Sequence, residues 1–189
     1  MCRECLGNSP AAERESEKWI FPALDYRHPS IKKALWFFKY KGKKRLAGTF
    51  AQILYEKMIE ELSELSVMEN FREPILIPIP LSPKRYRERG YNQAELICRE
   101  LVKINPDFIL ASGVLIKPKD TEHQARIRDR GKRLKNLSGS FAVKYGASIR
   151  KRNIILIDDI TTTGATLTEA RKILRQAGAG KIIAFTVAH

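Results

Sequence analysis

Two apolar patterns alternate along this chain. Short continuous apolar runs occupy residues 75–79 (ILIPI), 153–157 (NIILI) and 182–187 (IIAFTV). Runs of that length and density are strands covered on both faces. Between them lie stretches with apolar residues three and four apart, the spacing of a helix buried along one side. Residues 46–65 carry Ala47, Phe50, Ala51, Leu54, Met58, Leu62 and Leu65 in that rhythm. Residues 31–40 carry Ile31, Ala34, Leu35 and Phe38, with Ser30 placed to cap the start and Lys41, Gly42 and Lys43 to end it. Helices are also predicted over 92–104 and 166–177. The second of these turns Leu167, Ala170, Ile173, Leu174 and Ala177 inward and has Gly178 at its stop. Residues 19–26 are strand-like with a proline break, and brief strands are predicted at 114–116 and 140–143. Pro78 predicts a short or irregular strand at 75–79. Strands alternating with helices after residue 46 imply an α/β fold, a mainly parallel sheet flanked by helices.

Two stretches lack a period. Residues 81–92 (LSPKRYRERGYN) read as a basic loop. Residues 117–136 are long, basic and weakly periodic, the kind of connection that serves as a lid or stays unstructured. Residues 1–18 are polar and read as a tail.

Charge narrows the choice of partners. The 189 residues hold 35 Lys and Arg against 21 Asp and Glu, a formal net charge of +14. The excess is concentrated. Residues 27–45 contain eight basic residues and no acid, and 117–152 contain twelve against three acids. Such surfaces point to phosphate-bearing ligands or nucleic acid. No apolar run approaches a membrane span. The N-terminus has no apolar stretch of the secretory kind, and three cysteines do not make a disulfide framework. A cytoplasmic protein is expected. Neither G-x-G-x-x-G after a strand nor G-x-x-x-x-G-K-[ST] occurs, so neither dinucleotide nor Walker-type sites are supported.

The most informative string is IILIDDITTTGATL, residues 154–167. An apolar strand ends in two carboxylates, a Thr- and Gly-rich turn follows, and a helix begins. Ligands of open parallel sheets bind at the carboxyl ends of strands. A helix start offers unpaired N–H groups and the positive end of its dipole to an anion. Thr162, Thr163 and Thr166 add hydroxyl donors, and Gly164 allows a close approach or a positive φ. This is a phosphate cradle. Asp158 and Asp159 suit a group that needs acceptors, such as sugar hydroxyls or a hydrated Mg2+. A ribose 5-phosphate joins both requirements. An Asp-Asp pair alone would do no more than cap a helix.

The string resembles the motif by which type I phosphoribosyltransferases bind phosphoribosyl pyrophosphate (PRPP). The wider chain resembles the ComF family: ALDYRHPSIKKALWFFKYKGKKRLA its start, ILIPIPLSPKRYRERGYNQAELI its middle, with RGYNQ the most telling piece, and TEHQARIRDRGKRLKNLSGSF a later part. The likeness runs from about residue 19 to the end. It implies a type I phosphoribosyltransferase fold over 19–189 with a small N-terminal hood, 19–45. It implies that Asp158 and Asp159 take the ribose hydroxyls and Mg2+, and that Thr162, Thr163, Gly164, Ala165 and Thr166 hold the 5-phosphate. Ser82, Lys84, Arg85 and Arg89 would meet the pyrophosphate, and Arg126 and Arg128 would sit on a flexible lid over it. The expected function is phosphoribosyl transfer with release of pyrophosphate to an unidentified base or amine, linked to DNA uptake and competence. A homodimer is common in similar enzymes. The alternative is a non-catalytic protein on the same fold, binding single-stranded DNA or a competence helicase. Aromatics among lysines at Trp36, Phe37, Phe38 and Tyr40 form either a stacking surface or core packing.

Relatives in this family often carry a four-cysteine zinc ribbon ahead of the transferase domain. Here Cys2 and Cys5 form one C-x-x-C pair, half of a tetrahedral site. The tail is therefore expected to be the remnant of such a ribbon, without zinc. Cys98, inside a predicted helix, is expected to be a small buried hydrophobe. No catalytic base stands out. His123, on the expected lid, is a candidate, and His28 and His189 look incidental.

Overall fold

The computed structural model describes residues 10–12, 17–118 and 139–189. The described chain runs through β1 (Ile20–Leu24), α1 (Pro29–Tyr40), α2 (Leu46–Glu69), β2 (Ile75–Pro78), α3 (Pro83–Arg89), α4 (Gln93–Ile104), β3 (Ile109–Leu110), β4 (Leu115–Ile116), β5 (Ala142–Val143), a 3-10 turn at Gly146–Ile149, β6 (Ile154–Ile160), α5 (Ala165–Gln176) and β7 (Ile182–Ala188). Five strands form one sheet in the order β1–β7–β6–β2–β3, every neighbouring pair parallel. β4 and β5 pair antiparallel beside it.

The apolar runs explain why the sheet is covered on both sides. Successive side chains of a strand point to opposite faces. Ile155 and Ile157 of β6, with Ile183, Phe185 and Val187 of β7, face a layer built by α1, α2 and α4. Ile154 and Leu156, with Ile182 and Ala184, face α5. Phe38 of α1 and Phe50 of α2 are fully buried, with ring centroids 5.3 Å apart. Cys98 is fully buried in α4, and that burial pushes its thiol well above the ordinary range. It packs as a hydrophobe, as expected.

Three local readings change. Residues 81–92 are not a loop: Ser82 caps α3, its hydroxyl accepting from Arg85 N at 3.5 Å, Pro83 opens the first turn, and Gly90 ends it at φ 75°. These are start and stop signals of a helix too polar to show an apolar period. Ser30 lies inside α1 rather than before it. Pro29 takes the first turn and His28 becomes the cap residue, without a side-chain bond. α2 runs one turn past its apolar stripe, exposing Val67 and Met68, until Asn70 turns left-handed at φ 50°.

Pro78 occupies an interior strand without breaking it. Ile75 N and Ile79 N donate towards the β6 side, to Asn153 O and Ile157 O. Pro78 is one residue out of phase and faces the β3 side, where pairing ends at Leu110. Its missing N–H falls where no ladder continues. Residues 19–45, expected as a hood, divide: β1 joins the sheet beside β7, and α1 packs into the helical layer on one face of it.

Candidate ligand site between β2 and β6

The chain leaves β2 towards β3 on one side and leaves β6 towards β7 on the other. The connections pass over opposite faces, through α4 and α5 respectively. A crevice opens at the carboxyl ends of strands where such a sheet reverses direction. A cavity of about 340 Å³ lies there.

Its walls come from four parts of the chain. β6, the loop after it and the first turn of α5 give Asp158, Asp159, Thr162 and Thr166. The end of β2 gives Ile79, Pro80, Leu81 and Ser82. The α3–α4 corner gives Arg85, Arg89, Asn92 and Gln93, and α1 gives Lys39 and Tyr40. Lys117 closes the remaining side. Four cationic side chains thus surround two carboxylates, so the cavity favours an anion.

The RGYNQ string builds the corner. Tyr91 donates its hydroxyl to Phe38 O, which ties α4 to the last turn of α1. Asn92 caps α4 by accepting from Ala94 N at 3.0 Å, and donates to Ile79 O at 3.0 Å. The helix start is thereby fixed to the end of β2. Arg89 donates to Gln93 Oε1 at 2.9 Å, and its guanidinium lies 5.3 Å from the Tyr40 ring centroid.

Across the cavity, Lys39 Nζ lies 2.9 Å from Asp159 Oδ1, with both side chains largely buried. Asp158 accepts from Asp159 N at 2.8 Å. Burial first and the neighbouring Asp159 second raise the Asp158 carboxyl to about 7; Lys39, the Asp159 N–H and Lys117 oppose the shift without cancelling it. Asp158 therefore carries an incompletely neutralised charge, which a cation or hydroxyl donors would relieve.

The loop after β6 has the form its sequence promised. Gly164 precedes α5 at φ 70°. A Cβ there would meet Ile20 Cδ1 at 3.1 Å, and Thr168 N bonds Gly164 O at 2.8 Å. The turn is left-handed and close to β1, which only glycine allows without strain. The first turn of α5 points its N–H end at the crevice.

Of the residues singled out from sequence, the structure brings Asp158, Asp159, Thr162, Thr166, Ser82, Arg85 and Arg89 to one cavity. Thr163, Gly164 and Ala165 shape the turn beneath Thr162 and Thr166. Lys84 is exposed on α3 and does not line the cavity. Arg126, Arg128, His123, Cys2 and Cys5 lie outside the described residues. Sequence reading missed Lys39, Tyr40, Lys117 and Gln93 as cavity residues. Lys39 was hidden in a run of surface lysines; its one signal was adjacency to the buried Phe38.

A parallel sheet flanked by helices, with a Thr/Gly loop behind a paired-carboxylate strand end, is the α/β arrangement that the resemblance to type I phosphoribosyltransferases implies. No protein-family model matches the chain. It is 32% identical over 153 residues to competence protein ComFC of Streptococcus pneumoniae, covering 79% of this chain and 59% of that protein. It is 30% identical over 148 residues to competence protein F of Haemophilus influenzae, covering 77% and 62%. Over 182 residues it is 22% identical to the DNA utilization protein YhgH of Escherichia coli K12, covering 96% and 74%. The chain is similar to these competence and DNA utilization proteins, and it spans less than two thirds of the pneumococcal and Haemophilus proteins. A solved hypoxanthine phosphoribosyltransferase from Staphylococcus aureus is loosely similar, at 13% identity and a TM-score of 0.39 over 74% of this chain and 62% of its own. Among the described residues no helix is long and apolar enough to cross a membrane.

Proposed function

We propose that this domain binds PRPP with Mg2+ and transfers its phosphoribosyl group, with release of pyrophosphate. The observation that carries this reading is a single crevice in which paired carboxylates and a phosphate-type helix start face a basic α3–α4 corner. Asp158 and Asp159 take the ribose hydroxyls. Thr162, Thr163, Gly164, Ala165 and Thr166 hold the 5-phosphate. Ser82, Arg85 and Arg89 hold the pyrophosphate, with Lys84 adding charge from the outer side of α3. The two carboxylates are the protein donors that a Mg2+ ion shared with ligand phosphates needs. When bound, the ion offsets charge on the leaving group. The C1–O bond to pyrophosphate breaks with its electron pair going to pyrophosphate. An acceptor nitrogen forms the new bond to C1 and gives its proton to solvent. Positioning and charge stabilisation supply the catalysis. The names of the relatives support a place for this activity in DNA uptake or use.

Titration calorimetry of PRPP with Mg2+ tests the reading. Wild type is expected to bind, and the Asp158→Asn/Asp159→Asn double variant to bind about 100-fold more weakly or not at all while staying folded, since two charge-assisted contacts are lost. A folded wild-type protein that ignores PRPP would overturn it.

One observation favours a second reading, single-stranded DNA binding. Trp36 and Tyr40 are 46% and 57% exposed on α1, their ring centroids 6.4 Å apart, with Lys41 Nζ 5.2 Å from the Trp36 ring. Phe38 alone of this aromatic run is fully buried. Base stacking on such rings contributes about 1–3 kcal/mol each. Trp36→Ala is therefore expected to weaken oligo-dT binding about tenfold in a fluorescence anisotropy titration, with a strong salt dependence. Unchanged affinity would remove this reading.

A further inference from the structure

Gln93 is the first residue of α4 and is 1% exposed, yet it lines the cavity. Its Oε1 is occupied by the Arg89 guanidinium at 2.9 Å. That contact fixes the amide: exchanging oxygen and nitrogen would set donor against donor. Nε2 must then be the end that remains, and among the described residues it is buried without a hydrogen-bond partner. The Tyr91 hydroxyl is close enough for the Gln93 amide to favour its ionisation, against the larger effect of burial. That hydroxyl donates to Phe38 O and keeps its lone pairs, but no hydrogen bond joins it to Nε2. Asn92 Oδ1 accepts from Ala94 N and its Nδ2 donates to Ile79 O, and no hydrogen bond joins that side chain to Nε2.

A buried amide donor left unpaired costs about 1–3 kcal/mol. Beside it stand Arg89, Arg85 and the N–H end of a twelve-residue helix. All of these seek an anionic oxygen. We infer that Gln93 Nε2 donates to an oxygen of the ligand's diphosphate, so that Gln93 and Arg89 together select a diphosphate over a single phosphate. The inference rests on the PRPP reading for the identity of the ligand. The donor's orientation rests only on the Arg89 contact.

Calorimetry with three probes, Mg-pyrophosphate, Mg-PRPP and ribose 5-phosphate, separates the possibilities. Gln93→Glu keeps an acceptor for Arg89 and removes the donor. Gln93→Leu removes both without adding charge, and it guards against a Gln93→Glu variant that folds poorly. Both variants are expected to bind pyrophosphate and PRPP at least about tenfold more weakly than wild type, the worth of one lost hydrogen bond to a charged group. Ribose 5-phosphate should bind each within about twofold of wild type, because it lacks the diphosphate that the lost donor serves. A Gln93→Glu variant that binds pyrophosphate like wild type would mean that Gln93 merely holds Arg89, and the inference fails. It fails equally if Gln93→Glu is weakened and Gln93→Leu is not, since added charge then explains the loss, or if wild type binds no pyrophosphate. Wild type that binds pyrophosphate but not PRPP, with both variants weakened, supports the diphosphate subsite and sinks the PRPP reading instead.

Discussion

At pH 8, ligand-free Asp158→Asn protein is expected to unfold several degrees above wild type, and in the PRPP reading it no longer binds the ligand. The carboxyl of Asp158 is raised to about 7, first by burial and then by Asp159. The folded state thus holds this proton more tightly than the unfolded chain, whose aspartates release theirs near pH 4. Between those two values folding takes up a proton, so wild-type stability falls as pH rises through the window; above pH 7 the full penalty is present. A shift of about three units sets a ceiling of about 4 kcal/mol. Asp158 is only half-buried, and solvent screening brings the expected gain to about 1–2 kcal/mol, a few degrees in a chain of this size. An Asn keeps an oxygen for Asp159 N, so the turn itself survives. The difference between variant and wild type should vanish by about pH 4.5, near the unfolded value. Thermal unfolding of both proteins across that range checks it, and a variant no more stable than wild type at pH 8 would refute the electrostatic argument. In the PRPP reading the penalty is what ligand hydroxyls and Mg2+ relieve, a trade of stability for function.

Gly164→Val should destabilise the fold by about 2–4 kcal/mol and, in the PRPP reading, abolish ligand binding. The backbone there stands at φ 70°, which costs an L residue about 1–2 kcal/mol and a β-branched one more. The new Cβ would also meet Ile20 Cδ1 at 3.1 Å, an overpacking term of about 1–3 kcal/mol that a small shift of Ile20 relieves in part. Whatever relaxation occurs moves either the start of α5 or the edge strand. Chemical denaturation gives the first quantity and calorimetry the second. A Gly164→Val variant with wild-type stability would show that the turn is not held by its glycine.

The sheet and the loop after β6 were legible because both rest on local chemistry. Continuous apolar runs mark β6 and β7, and carboxylates, threonines and Gly164 follow one another in a single string. From sequence α3 reads as a loop, although Ser82, Pro83 and Gly90 signal its start and stop, because a helix that buries nothing leaves no period to read. Lys39 and Lys117 are different in kind. They reach the cavity from far upstream, Lys39 lying 120 residues before Asp159 and Lys117 lying 41 before Asp158. Nothing local distinguishes them from the solvated lysines beside them. Gln93 shows the same limit. RGYNQ marked the place by resemblance, but only the packed corner reveals that one end of the amide is used and the other is left over.

The edge strand has a consequence for how the molecule is made. β1 lies at the start of the described chain, but its partner β7 lies more than 150 residues later, with Ile20 opposite Ala184. During synthesis residues 20–24 must wait for nearly the whole domain before they can pair. Until they do, β7 presents an open edge along a run that is wholly buried in the fold and apolar except for Thr186, the surface on which strands of separate chains associate. Such distant pairing is slow to form. The last step of assembly also brings Ile20 against Gly164, so the phosphate-type turn is complete only once the two ends of the described chain have met.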